Sequence, residues 1–156
     1  FAKKCEKNPV FIHVSTAYVN GRRLGDVKEI LFTPGKSIAH EQMGDDAPEF
    51  DLEKEVEFAL ALGREVEEEA RQPEMFERFH KAAIKELGPS YRPGSAKVKA
   101  QTEYERNKFV RGKLVKAGMA RSRIHGWHDT YTFTKAMGEQ FLIRDREHIR
   151  VAIVRP

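Results

Sequence analysis

The chain has 156 residues, the size of a single domain of ordinary length. Apolar residues make up 40% of it and charged residues 33%, which is typical of a globular protein, and the longest apolar run, residues 58–62, is far too short to span a membrane. The single cysteine excludes an internal disulfide, so we expect an intracellular protein of the cytoplasm, with peripheral membrane contact left open.

The first predicted elements place two hydroxyl side chains at the end of a strand. Residues 1–7 have the pattern of the last turns of a helix, and residues 10–14, VFIHV, are apolar and rich in β-branched side chains. Such a run favours a parallel strand that is buried on both faces. Ser15 and Thr16 follow directly, before a predicted loop that runs to about residue 48.

Residues 50–120 are predicted to be a mainly helical insertion. Apolar side chains recur every three or four residues in 51–71 and 73–87, and more sparsely in 96–117, which indicates three helices. Residues 118–129, which include two glycines, are predicted to be a loop. The side chains expected to face inward are Leu52, Val56, Ala59, Leu60, Val66, Ala70, Met75, Phe76, Phe79, Ala83, Leu87, Val98, Phe109 and Val115.

Charge is distributed unevenly over this insertion. Residues 51–71 carry eight acidic and three basic side chains, whereas residues 78–123 carry thirteen basic and three acidic ones. A basic tract can bind nucleic acid, an anionic membrane surface or a phosphate-bearing ligand, although it is more often a solvated helix face. Since the chain has no zinc-finger pattern and no RNA-recognition motif, we do not expect nucleic acid to be a partner.

The last two predicted elements return to the sheet. Residues 130–144 have a helical pattern with Phe133, Met137 and Phe141 on one side, and residues 149–154 are a second apolar strand. A strand, a helix and a second strand in this order imply parallel strands joined by a right-handed crossover. The sequence therefore predicts an α/β fold with a parallel sheet.

Tyr131 and Lys135 stand four residues apart on the last predicted helix, so their side chains project from the same face. An ammonium group beside a phenol favours the phenolate and lowers the pKa of the phenol, which suits the phenol to proton exchange during carbonyl reduction. A hydroxyl from Thr16 or Ser15 would then donate a hydrogen bond to the carbonyl oxygen as negative charge develops.

A second tyrosine and lysine have the same spacing. Tyr104 and Lys108 lie in a highly charged helical segment with no apolar strand beside it in the sequence. By contrast, the helix that begins near Tyr131 leads directly into the last strand. This context favours Tyr131 and Lys135 as the functional pair.

Three segments of the sequence resemble a known family. VSTAYVNG at 14–21, YTFTKAMGEQ at 131–140 and VAIVRP at 151–156 resemble successive blocks of the extended short-chain dehydrogenase/reductase fold. More narrowly, they resemble the alcohol-forming fatty acyl-CoA reductases, also called male-sterility proteins. The resemblance covers residues 1–43 and about 125–156, and it implies a Rossmann-like, doubly wound parallel sheet of which this chain holds the C-terminal portion.

The resemblance also implies roles for individual residues. It makes Thr16 the catalytic hydroxyl and Tyr131 the proton donor, with Ser15 the weaker candidate for the hydroxyl. Lys135 is the third catalytic residue and also bonds the nicotinamide ribose, and Pro156 begins the loop that contacts the nicotinamide. The implied cofactor contacts are Ser15, Tyr131, Lys135 and Pro156.

The activity implied by the resemblance is reduction of a fatty acyl-CoA by NADPH, through the fatty aldehyde, to a fatty alcohol. Three alternatives stay open on the sequence. One is a reductase that stops at the aldehyde, another is a reductase of carrier-protein-linked acyl groups, and the third is a binding module for polyanions or a membrane surface.

The glycine-rich phosphate loop of the family has no counterpart here. The segment Gly21-Arg-Arg-Leu-Gly25 has the wrong spacing, and no predicted helix opens after it. We therefore expect residues 1–156 to be an incomplete NAD(P)-binding reductase domain, with the glycine-rich half upstream of Phe1, and to be inactive in isolation.

The remaining notable side chains have plainer interpretations. His125 and His128 lack a third ligand at suitable spacing, so no metal site is predicted, and we expect them to orient the loop before the last helix. His13 is expected to be packed or hydrogen-bonded, Cys5 to be a small buried residue, and Trp127 to lie in the core.

Overall fold

The computed structural model describes residues 2–5, 7, 9–88 and 92–156. The elements are a 3-10 turn at Ala2–Lys4, β1 (Val10–Val14), a 3-10 turn at Ala17–Asn20, α1 (Ile38–Met43), a 3-10 turn at Gly44–Asp46, α2 (Leu52–Ala70), α3 (Pro73–Leu87), α4 (Ala96–Ile124), α5 (Thr130–Asp145) and β2 (Arg150–Val154). Across these residues, no helix is both long and apolar enough to cross a membrane.

The two strands form a parallel sheet, as the sequence predicted. β1 and β2 pair in register from Val10 opposite Arg150 to Val14 opposite Val154. Phe11 and Val151 line a cavity together with side chains of α5, so this face of the sheet lies toward that helix. The prediction that β1 is buried on both faces is wrong for the described structure, because the opposite face is exposed and Ile12 retains 63% of its accessible surface.

The chain divides into two compact units, residues 1–56 with 118–156 and residues 57–117. The core of the first unit is aromatic: the Trp127 ring packs against the rings of Phe32, Phe50 and Phe133 with centroids 5.3–6.0 Å apart. Trp127 is fully buried, which confirms its predicted place in the core. Such tilted aromatic contacts add orientation-dependent stability to the burial of apolar surface.

The second unit has a smaller core and many ion pairs. Its buried apolar side chains are Val66, Ala70, Phe79, Ala83, Val98 and Val110. Arg106 and Lys113 of α4 form ion pairs with Glu67 and Glu69 of α2. Part of the positive charge of the basic tract is therefore compensated by the acidic segment that precedes it, which favours a solvated, ion-paired helix face over a surface for binding polyanions.

Helix α2 buries a different stripe from the predicted one. Leu52 and Val66 are buried as expected, but Val56 and Leu60 are exposed. Glu55 is buried instead, because its carboxylate pairs with Arg121 and His125. Periodicity of apolar residues cannot reveal such a position, since a carboxylate is buried only where distant partners satisfy it. The predicted inward positions Ala59, Phe76 and Val115 are also exposed.

The predicted loop at 118–129 is wrong over its first half, because α4 continues to Ile124. Gly118 does not end the helix. A Cβ atom at this position would lie 2.5 Å from Thr130 Cγ2, so the glycine allows the start of α5 to approach α4 closely. A glycine in a helical pattern can mark close packing as well as a helix end.

The predicted loop before residue 48 contains the short helix α1. Its capping box is atypical: His40 occupies the position where Glu or Gln is usual, and His40 Nδ1 lies 3.2 Å from Ser37 N and 2.9 Å from Ser37 Oγ. The sequence therefore has the Ser of the standard signal for a helix start but lacks the Glu or Gln three residues later.

Candidate active site

The hydrogen-bond ladder between the two strands continues beyond their ends. Ser15 N donates to Val154 O at 2.8 Å, and Ala17 N donates to Pro156 O at 2.9 Å. The hydroxyl residue Thr16 therefore lies beside the segment that follows β2. This is the carboxyl edge of the parallel sheet, where open α/β folds bind their ligands.

Thr16 is held in place by a local cap. Its extended backbone begins the 3-10 turn at Ala17–Asn20, and its Oγ1 accepts a hydrogen bond from Tyr18 N at 3.3 Å. The side chain is buried, with 7% of the residue's surface accessible. Because a hydroxyl has one proton and two lone pairs, this cap leaves the Thr16 proton available to donate to a second group.

Ser15 and His13 differ from that arrangement. The two residues are two positions apart, so their side chains lie on the same face of the strand. Ser15 Oγ and His13 Nε2 are both buried, and neither has a hydrogen-bond partner among the described residues. His13 was expected to be packed or hydrogen-bonded, and its buried Nε2 atom fits the packed alternative. A buried polar atom without a partner is costly, so an unpaired hydroxyl beside Thr16 is suited to bonding a ligand.

The start of α5 positions Tyr131 and Lys135. Asp129 caps the helix and accepts from Thr132 N at 2.8 Å. Tyr131 lies in the first turn and is 57% exposed, which leaves its hydroxyl accessible. One turn later, Lys135 Nζ donates to Val14 O at 3.2 Å, which brings the ammonium group to the end of the strand that carries Ser15 and Thr16.

Two loops hold these distant segments together. Trp127 Nε1 donates to Val19 O at 2.7 Å, and Arg22 N donates to Gly126 O at 3.0 Å. Gly21 has a φ of 53°, and a Cβ there would lie 2.8 Å from Gly126 O. Glycine is therefore required at Gly21 both for the left-handed backbone and for this close approach. The sequence indicated a turn at this point, but it gave no sign of the contact.

One buried ion pair at this edge was not predicted. Glu139 lies on α5 four residues after Lys135 and is 1% exposed. Arg155, the residue after β2, donates to both of its carboxylate oxygens. Both residues stand inside the segments that resemble the reductase family, but their spacing in the sequence does not show that they pair.

His125 belongs to the core rather than to the site. Burial lowers its pKa; the nearby Glu55 opposes this effect and Arg121 adds to it. The Nε2 atom lies 3.1 Å from Glu55 Oε1, and the buried Nδ1 atom has no partner within the described residues. A neutral ring that donates from Nε2 fits this geometry, since a charged ring would bury a second N–H without an acceptor.

The second tyrosine–lysine pair has different surroundings. Tyr104 is 59% exposed in the middle of α4, and Lys108 Nζ lies 4.0 Å from Glu105 Oε2 on the same helix. Both residues belong to the second unit, in which the described residues form helices and turns. The pair therefore has no strand end beside it within its own unit.

Comparison with known proteins gives the family. The whole chain, residues 1–156, matches an NAD-binding domain model described as "Male sterility protein". The chain belongs to the male sterility protein family. This agrees with the resemblance carried by its three sequence segments and implies a nicotinamide cofactor.

Several curated relatives of this chain have consistent names. The chain is 32% identical to fatty acyl-CoA reductase 2, chloroplastic, of Arabidopsis thaliana, and 31% identical to fatty acyl-CoA reductase 1 of the same plant. It is 30% identical to the alcohol-forming fatty acyl-CoA reductase of Simmondsia chinensis. All of this chain is covered in each case, but it spans only 19%, 23% and 24% of the respective relatives.

Proposed function

We propose that the protein reduces a fatty acyl-CoA, with NADPH as hydride donor, through the aldehyde to a fatty alcohol. The observation that carries the proposal is the position of Lys135 Nζ, 3.2 Å from the carbonyl oxygen of Val14, at the end of the strand that leads to Thr16. In a member of the male sterility family, this geometry supports a Thr16, Tyr131 and Lys135 catalytic set.

The side chains at this edge fit a nicotinamide nucleotide. An ammonium group has three donors, and Lys135 needs one of them for Val14 O, so donors remain for ribose hydroxyls. Two further contacts with the cofactor are proposed. They are the hydroxyl of Ser15, which is buried and unpaired, and Pro156. When bound, the cofactor supplies the hydride.

The protein side chains would then manage the proton and the developing negative charge. Tyr131 donates its phenolic proton to the substrate carbonyl oxygen, while the cation of Lys135 stabilises the phenolate that remains. Thr16 donates its hydroxyl proton in a hydrogen bond to the same oxygen, since its lone pair already serves the cap.

The overall chemistry balances over two reductions. In the first, the thioester carbonyl carbon gains a hydride, the C–S bond breaks, and the thiolate takes a proton to leave an aldehyde and a free thiol. In the second, the aldehyde carbon gains another hydride and its oxygen takes the proton from Tyr131. Two nicotinamide equivalents are thus oxidised for each alcohol formed.

The fold assignments that complete this proposal concern the sheet and the helical region. The β1–β2 pair would be the C-terminal portion of a doubly wound sheet, which gives an apolar partner to its exposed face. Residues 50–120 would be an insertion in the reductase domain. A reductase that stops at the aldehyde would differ from the main proposal in its final product. A reductase of carrier-protein-linked acyl groups would differ in the thiol that it releases. Both are outcomes of the test.

The proposal is tested with the full-length protein, palmitoyl-CoA and either NADPH or NADH. We expect nicotinamide oxidation with a preference for NADPH, and an alcohol detected by gas chromatography. Aldehyde as the final product, or activity confined to acyl carrier protein thioesters, would select one of the alternatives. No oxidation with any acyl thioester or long-chain aldehyde, together with salt-sensitive binding to anionic vesicles, would favour the binding module instead.

A further inference from the structure

The Glu139–Arg155 ion pair is bidentate and buried. Arg155 Nε donates to Glu139 Oε1 at 3.0 Å, and Arg155 Nη2 donates to Glu139 Oε2 at 2.5 Å. The side chains of Glu139 and Arg155 are 1% and 14% exposed, respectively. A planar guanidinium that meets a carboxylate in this way fixes both distance and orientation, which a lysine ammonium does not.

The pair joins the two elements that carry the proposed site. Glu139 lies one helical turn after Lys135 and two turns after Tyr131, so the three side chains share a broad face of α5. Arg155 directly precedes Pro156, whose carbonyl oxygen accepts from Ala17 N at 2.9 Å. The ion pair therefore connects α5 to the segment next to Thr16.

The same arginine also fixes the loop after Thr16. Arg155 Nη1 donates to Ile30 O at 3.0 Å, and the guanidinium lies 5.4 Å from the centroid of the Phe32 ring. Further along this loop, Gln140 accepts from Gly35 N and donates to Lys36 O, both at 3.0 Å. Glu139, through Arg155, and its neighbour Gln140 thus anchor two successive parts of one loop.

We propose that Glu139 and Arg155 are positioning residues, whose ion pair fixes α5 against the end of β2 so that Lys135 stays at the end of β1. The expected effect on catalysis rests on the proposed function. The expected effect on the position of Lys135 does not depend on it. Breaking the pair lets the helix shift or rotate, and a displacement of about 1 Å at a catalytic group can cost about 10²-fold in rate.

The test must separate positioning from stability, because removing one partner leaves a buried charge and destabilises the fold. The double variant Glu139→Leu/Arg155→Met removes both charges and keeps apolar volume, so it is expected to retain the thermal midpoint. Pulse acetylation read by mass spectrometry then measures how reactive the Lys135 amine is, independently of enzyme activity. We expect faster labelling of Lys135, and kcat lower by about 10- to 10²-fold with little change in KM for the thioester.

The single variant Arg155→Lys covers the case in which the double variant fails to fold. It retains the positive charge but loses the two-pronged geometry, so the protein should fold while Lys135 is labelled faster than in the wild type. Wild-type labelling of Lys135 in Arg155→Lys, or wild-type labelling and kcat in a folded double variant, would overturn the proposal.

Glu55→Gln is the matched control. Glu55 is also a buried carboxylate paired with an arginine, Arg121, in the same unit, but it lies on α2. We expect this variant to lose stability while the labelling of Lys135 stays at the wild-type rate. If the wild-type enzyme reduces no acyl thioester, the proposed function fails, whereas the labelling experiment still decides the positioning role.

Discussion

Two tyrosine–lysine pairs in this chain have the same spacing and different surroundings. Tyr131 and Tyr104 are both helical and similarly exposed, at 57% and 59%. Lys135 reaches a backbone carbonyl at the end of β1, whereas Lys108 lies near a glutamate on its own helix. A tyrosine and a lysine four residues apart share a face on any helix, whereas a functional site also depends on what that helix packs against.

The largest expected effect separates the two tyrosines directly. Tyr131→Phe should lower the rate of carbonyl reduction by about 10²- to 10⁴-fold, because it removes the proposed proton donor and keeps the ring. Tyr104→Phe is the matched control and should leave the rate nearly unchanged. Steady-state assays on the full-length variants measure both, and a damaging Tyr104→Phe with a harmless Tyr131→Phe would place the site in the helical region.

The hydroxyl pair gives the next comparison. Thr16→Ala should lower kcat by about 10²-fold, the lower end of the range for loss of an oxyanion donor, because Ser15 or water partly replaces its hydrogen bond. Ser15→Ala should change kcat less and raise KM for the nicotinamide, in line with its proposed cofactor contact. Kinetics with saturating acyl-CoA and varied NADPH distinguish the two, and the reverse pattern would exchange their roles.

Substitutions of Lys135 and Lys108 should differ in their effect on cofactor binding, by a smaller factor than the substitutions above. Lys135→Met is expected to weaken binding of the nicotinamide cofactor by about 10- to 10²-fold, the usual contribution of a hydrogen bond from a charged donor. Lys108→Met removes an equivalent exposed cation and should leave cofactor affinity unchanged. Equal losses in the two variants, measured by calorimetric titration of cofactor, would point to a general charge effect instead of a specific contact.

The smallest expected effect concerns the core behind the site and depends on pH. The unfolded chain has a histidine of ordinary pKa, about 6.5, whereas burial lowers the pKa of His125 in the folded protein. Below about pH 6.5 the unfolded state thus binds a proton that the folded state does not, and the free energy of unfolding should fall as the pH decreases.

The His125→Gln variant isolates this contribution. It removes the titrating ring, so the difference in free energy of unfolding between wild type and variant should shrink as the pH is lowered from 7.5 to about 5. Urea denaturation at several pH values measures the difference while other titrating groups cancel. A difference that stays constant over this range would mean that His125 is protonated alike in both states.

The sequence by itself determined the longer helices, although not the end of α4, and it determined the parallel pairing of the two strands, but it did not indicate α1. The strand at residues 10–14 and the helix at residues 73–87 were predicted with their observed bounds, because both depend on side chains within a few residues of one another. The family segments likewise identified the family, since each is a short run of neighbours. The catalytic roles of Thr16, Tyr131 and Lys135 are predictions that the experiments above must decide.

Only the tertiary structure decided which polar groups are buried and what they meet. Glu55 pairs with a residue 66 positions away, Lys135 with one 121 positions away, and Arg155 with Ile30 at a separation of 125. Local patterns carry no information about such partners, and without the partner a buried charge would be too costly to expect. For the same physical reason Glu55 was overlooked in favour of Val56, and the Glu139–Arg155 pair became visible only once the chain was folded.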